Sequence, residues 1–178
     1  VPLLAGDREF VWVDQTVLLS TGQSWETVVA VDGTEPLRVT MAYTDVPGTP
    51  FVLPALVNDL DLEVIDPRGA RFWGNVFRGG NSVAGSGSAD RRNNVECVYI
   101  DEPMPGPYWV RIHAYRVPED ARRDTPEVDQ DFALVISSRF LAPGTGSVQL
   151  DRGAYTAPSE IQIRLFDGDL AGSTAVTV

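Results

Sequence analysis

Hydrophobic residues in this chain recur at every second position, and that period more than any other feature limits what it can fold into. From Leu37 to Thr44, the residues Leu37, Val39, Met41 and Tyr43 fall on one side and Arg38, Thr40, Ala42 and Thr44 on the other. Asp59 to Val64 alternates Asp59, Asp61 and Glu63 with Leu60, Leu62 and Val64. Ser24 to Val31 sets Trp25, Thr27, Val29 and Val31 against Ser24, Glu26, Val28 and Ala30. Successive side chains of an extended strand point to opposite faces, so each run predicts a strand. Further strands are predicted at Arg71–Trp73, Val95–Ile100, Tyr108–Tyr115 and Asp131–Ser137. Turn signals separate them: D-G-T at 32–34, D-V-P-G-T-P at 45–50, D-P-R-G at 66–69 and P-M-P-G-P at 103–107. Short, regularly spaced strands without a helical period predict an all-β protein, a jelly-roll β-sandwich.

The sandwich is expected over residues 1–140. A-P-G-T-G at 142–146 reads as a linker. Residues 141–178 are expected to be a short additional β-rich C-terminal segment, with strands at Ser147–Leu150, Ile161–Phe166 and Thr174–Val178. Thirty-odd residues are too few for a second sandwich, so this segment reads as a truncated or appended β unit. Two stretches are expected to be loops: the Gly/Ser-rich Arg78–Ala89, taken as a mobile excursion, and the charged Pro118–Gln130. The chain starts at Val1 without an initiator Met or a leader, the expected look of a piece of a longer protein.

Acidic residues number 25 against 14 basic ones, a net charge of −11 that disfavours a nucleic-acid partner. The basic residues are all Arg, a pattern read as coding bias of the source. No apolar run is long enough to span a bilayer, so no membrane partner is expected. Cys97 is the single cysteine, excludes an internal disulfide, and is expected to be a small buried hydrophobe.

Catalytic chemistry finds little footing. His113 is the only histidine, on the same strand face as Trp109, Arg111 and Tyr115. No G-x-S-x-G or H-E-x-x-H motif is present. Asp59, Asp61 and Glu63 share one strand face, where a solvated surface is the plain reading. The alternative is calcium, which takes six to eight oxygen ligands. Oxygen-rich residues gather at strand ends: Asp45, N-D-L-D at 58–61, Asn75, and D-R-R-N-N-V-E at 90–96. Trp12 and Trp73 raise a second function class, a carbohydrate- or surface-binding module, whereas Trp25 and Trp109 are expected in the core.

Several segments together carry a family resemblance. They are L-R-V-T-M-A-Y-T-D-V-P-G-T-P, L-V-N-D-L-D-L-E-V-I-D-P-R-G, W-G-N, D-R-R-N-N-V-E-C-V-Y-I, P-G-P-Y-W-V-R-I-H-A-Y-R-V-P and Q-D-F-A-L-V-I-S. In this order, from Glu35 to Ser137, the chain resembles the C-terminal β-barrel domain of subtilisin-like serine proteases and, more distantly, the P domain of proprotein convertases. The resemblance implies a non-catalytic accessory domain of a secreted enzyme, without a catalytic triad of its own and monomeric as a fragment. Its implied partner is the subtilase catalytic domain of the same parent chain, a serine endopeptidase that it would stabilise. It also implies calcium as a cofactor, with Asp45, Asp59, Asp61, Asn75, Asp90, Asn93, Asn94 and Glu96 as its oxygen ligands. Two departures stand out. Gly79–Ala89 replaces a segment that is usually aromatic and acidic, and Arg91 follows Asp90 where a glycine is usual.

Overall fold

A computed structural model describes residues 8–51 and 55–141, together with the backbone of two strands further on, Ser147–Leu150 and Ile163–Phe166. Eight strands build two antiparallel four-stranded sheets. In chain order they include β1 (Glu9–Leu19), β2 (Ser24–Val31), β3 (Leu37–Ala42), β4 (Asp59–Ile65) and β5 (Arg71–Trp73). A hairpin follows, β6 (Phe77–Arg78) with β7 (Asn81–Ser82), and then β8 (Val95–Ile100), β9 (Gly106–Arg116) and β10 (Gln130–Ser138). The first sheet runs β1-β10-β3-β8 and the second β2-β9-β4-β5. The chain alternates between sheets from β1 to β4 and again from β8 to β10, which is the jelly-roll winding predicted above. The Ser147–Leu150 strand, β11, pairs with Ile163–Phe166, β12. The strand expected at Thr174–Val178 lies outside the described residues.

The alternation sorts side chains as expected. Leu37, Val39 and Met41 of β3 and Leu60, Leu62 and Val64 of β4 are fully buried and meet in one core with Ile112, Phe132 and Ile136. Trp25 joins it, 5.7 Å from the Phe132 ring. Trp109 instead sits half-buried on the outward side of the second sheet, because its neighbours Tyr108 and Val110 point inward.

Strand β1 has no counterpart among the predicted strands. Its start, F-V-W-V, is apolar on both faces and hides the period of two, and its ladder with β10 is interrupted by a bulge between Asp14 and Leu18. Arg78–Ala89 is also more ordered than a mobile excursion. Ser82 Oγ accepts the Tyr99 amide (2.9 Å) and Asn81 Oδ1 the Asp101 amide (3.2 Å), so β7 caps the free edge of β8. Cys97 is half-buried on the outward side of β8, with Sγ 3.6 Å from Thr40 Oγ1.

Candidate functional site

The outward side of β4 departs most from expectation. Asp59, Asp61 and Glu63 are only 6%, 2% and 4% exposed, so the solvated strand face is corrected to a buried one. Antiparallel sheets commonly leave one face to water, and carboxylates deprived of water need cationic partners. Arginines from three directions supply them. Arg111 on β9, opposite Glu63 in register, donates from Nη1 to Glu63 Oε2 (3.1 Å) and from Nε and Nη2 to Glu26 Oε2 (3.2 and 3.0 Å). Arg71 on β5 pairs with Glu63 Oε1, its guanidinium 5.4 Å from the centre of the Trp73 ring. Arg91, from the turn before β8, bonds Asp61 and reaches Asp59 at 3.4 Å.

Between these groups lies an open cleft of about 610 Å³. Glu63 and Arg111 line its centre, Ser24 and His113 one side, Arg71 and Trp73 the other. Register places Ser24 opposite His113 and His113 opposite Asp61, and Ser24 Oγ lies 2.8 Å from His113 Nδ1. Sequence reading missed this Ser–His contact because the residues are 89 positions apart and only the β2–β9 register joins them.

The eight proposed calcium ligands are not brought into one shell. Asp45 closes its own loop, accepting the amides of Val46 (2.9 Å), Val57 (2.7 Å) and Asn58 (2.9 Å). Asn94 donates to the Tyr43 carbonyl at 2.8 Å. Asn75, at φ 61°, donates to Asp90 Oδ2 (2.7 Å) and the Val95 carbonyl (2.9 Å), while its oxygen accepts the Cys97 amide. Asn93 donates to Asp90 Oδ2 at 2.6 Å, and Arg92 N to Oδ1 at 2.9 Å. Asp59 and Asp61 face Arg91, and Glu96 points into the sandwich from β8. Among the described residues no group of three or more His, Cys, Asp or Glu side chains is placed to hold a metal. Asp45, Asn75, Asp90 and one oxygen each of Asp59, Asp61 and Glu96 already accept N–H donors, so as arranged these residues do not form the shell the ion needs.

Burial governs the acids' protonation. It pushes Glu96 from its ordinary 4.5 to about 9, with Asp61, Asp90 and Asp59 adding repulsion and a bond from the Leu62 amide opposing. Desolvation raises Asp61 to about 6 against the pull of Arg91, and raises Asp59 for the same reason. Asp90 moves down: its desolvation is outweighed by bonds from Asn75, Asn93 and the turn amides.

The other sheet has an outward face of opposite character. Register aligns Trp12, Val135, Thr40 and Cys97 in one row, flanked on one side by Asp14, Ala133, Ala42 and Val95 and on the other by Phe10, Ser137, Arg38 and Tyr99. Trp12 is 67% exposed, Val135 44% and Val95 45%. Phe77 and Tyr99, rings 5.4 Å apart, extend the patch past β8. Among the described residues these side chains stay exposed, because the sheet is one wall of a two-layer sandwich.

No family model matches the sequence, and no curated protein does. A solved structure from Sulfurospirillum deleyianum is similar at TM-score 0.34 and 7% identity, over 74% of this chain and 97% of that one. A serine protease of Aeromonas sobria is similar at TM-score 0.29 and 14% identity, over 74% of this chain and 26% of that one. The chain thus spans about a quarter of that protease's length.

Proposed function

We propose that this chain is a non-catalytic accessory domain of a secreted subtilisin-like serine protease, docked on the catalytic domain of the same parent chain and stabilising it. The observation that carries this reading is the exposed apolar patch on the β1-β10-β3-β8 sheet, centred on Trp12 and Val135 and bordered by Asp14 and Arg38. Contiguous apolar patches mark surfaces that a partner covers, and covering one stabilises both partners. The resemblance of the segments from Glu35 to Ser137 to the subtilase C-terminal domain supports this choice of partner. The isolated domain is read as monomeric, non-hydrolytic and without affinity for nucleic acid, in line with its net charge of −11.

Carbohydrate binding has less to stand on. Trp12 and Trp73 belong to different sheets, so they share no platform, and a guanidinium already lies against the Trp73 ring.

The test pairs Trp12→Glu with Val135→Glu, in the isolated chain and in the full parent protease. The isolated double variant keeps its melting temperature, whereas the parent loses thermal stability and its protease is inactivated sooner on heating. An unchanged parent would remove this face from the reading. Casein hydrolysis by the isolated chain, abolished by His113→Ala, would overturn the non-catalytic assignment.

A further inference from the structure

The Asp59–Asp61 pair presents a problem that proteins commonly meet with a bound ion: two carboxylates on one strand face, both nearly out of reach of water. Here the counter-charge comes from the chain. Arg91 Nη1 bonds Asp61 Oδ1 and lies 3.4 Å from Asp59 Oδ1, so one guanidinium nitrogen serves both acids. The far side of the guanidinium is seated too, with its central carbon 3.7 Å from the centre of the Tyr115 ring on β9.

The turn that delivers it is pinned. Asp90 accepts Asn75 Nδ2, Asn93 Nδ2 and the Arg92 amide, and Asn75 is tied in turn to Val95 and Cys97 at the start of β8. Residues that would otherwise supply metal oxygens thus hold the backbone on both sides of Arg91. A guanidinium keeps its charge at every pH a fold survives and does not dissociate into solution, unlike a metal ion.

We propose that Arg91 is the resident cation of this domain, standing where a divalent ion would balance Asp59 and Asp61, and that removing its side chain opens a divalent-cation site in its place. The intact chain then draws no stability from calcium. This inference concerns the chain alone and holds whether or not the domain serves a protease.

The experiment compares the parent chain with Arg91→Ala in excess EDTA and in millimolar calcium, by thermal unfolding. The parent midpoint is the same in both. The Arg91→Ala midpoint drops by several degrees in EDTA and recovers in calcium. A second readout is independent of stability: terbium titrated into the protein, excited through tyrosine. Tyr115 borders the vacated space, so Arg91→Ala gives sensitised emission, which Asp61→Asn in the same background and calcium competition abolish. The parent gives none. Should Arg91→Ala fail to fold in EDTA, Arg91→Gln is read by the same titration, and folding restored by calcium supports the proposal. A calcium-dependent parent midpoint overturns it, as does a folded Arg91 variant that neither binds terbium nor responds to calcium.

Discussion

Glu96 Oε2 accepts the Leu62 amide at 2.9 Å, so an acid from one sheet satisfies a backbone donor of the other. Strand β5 ends at Trp73, and a side chain at Gly74 would come within 2.7 Å of Glu96 Cβ, so only glycine leaves the carboxyl room to enter. The group is fully buried, its Oε1 has no hydrogen-bond partner, and it stays protonated up to about pH 9.

That placement makes stability fall as pH rises. Between about 4.5 and 9 the folded chain holds a proton on Glu96 that the unfolded chain releases. The contribution is therefore fully present below the lower value and lost as pH climbs toward the upper one. Urea unfolding of the parent is expected to lose a few kcal/mol between about pH 5 and 8 from this group. Glu96→Gln keeps an acceptor for Leu62, has no proton to lose, and is expected to flatten that slope. An equal slope in both proteins would refute this.

Asp45 illustrates a carboxylate spent on the backbone. It accepts three amides, two of them at Val57 and Asn58, where the chain enters β4. Asp45→Ala is expected to cost about 2–3 kcal/mol in urea unfolding, since bonds to a charged acceptor are worth more than neutral ones. The loss is expected to be identical with calcium and with EDTA, which separates a loop-closing role from a metal-binding one.

Asn58 and Gln130, both fully buried, join the β4 entry to β10 through Asn58 Nδ2 and Gln130 Oε1 at 2.9 Å. Asn58 also bonds Glu119 through its amide nitrogen and oxygen, and Gln130 Nε2 reaches the Thr44 carbonyl. Asn58→Ala is expected to cost about 2–4 kcal/mol, because several buried groups lose partners at once. A double-mutant cycle with Gln130→Ala is expected to show coupling above about 0.5 kcal/mol; additive losses would mean the pair does not act as a unit.

Gly106 opens β9 at φ 134°, and a Cβ there would lie 2.9 Å from Pro67 Cγ. Gly106→Ala is expected to cost about 1–3 kcal/mol from backbone strain alone, before the clash is counted. Gly69→Ala, at φ 83° and with open space around it, is expected to lose less in the same melt, since both its strain and its crowding are smaller.

Much of the sandwich was legible because a period of two is a local property. Leu37, Val39 and Met41 announce the buried side of β3 with no knowledge of its neighbours. What covers an outward face is not local. Asp59, Asp61 and Glu63 read as solvated because their cover comes from Arg71, Arg91 and Arg111, on other strands and a turn. The Ser24–His113 contact was hidden for the same reason. Strand β1 escaped notice because Phe10, Val11, Trp12 and Val13 are apolar without a break, and the exposure of Trp12 appears only once the layers are assembled. The proposed ligands were chosen for their oxygen atoms, and sequence does not tell which oxygens the fold's own amides will claim.

The cover over β4 is made of arginine alone, in a chain that has no lysine. A lysine begins to shed its proton near pH 10, whereas a guanidinium holds on beyond about pH 12. Strongly alkaline water, which would dissolve a comparable lattice of ammonium and carboxylate groups one proton at a time, leaves this one fully charged. Reagents that attack amines find nothing to modify there either. On this side of the sandwich the cationic partners of the β4 carboxylates therefore keep their charge across the whole range in which a lysine would lose it.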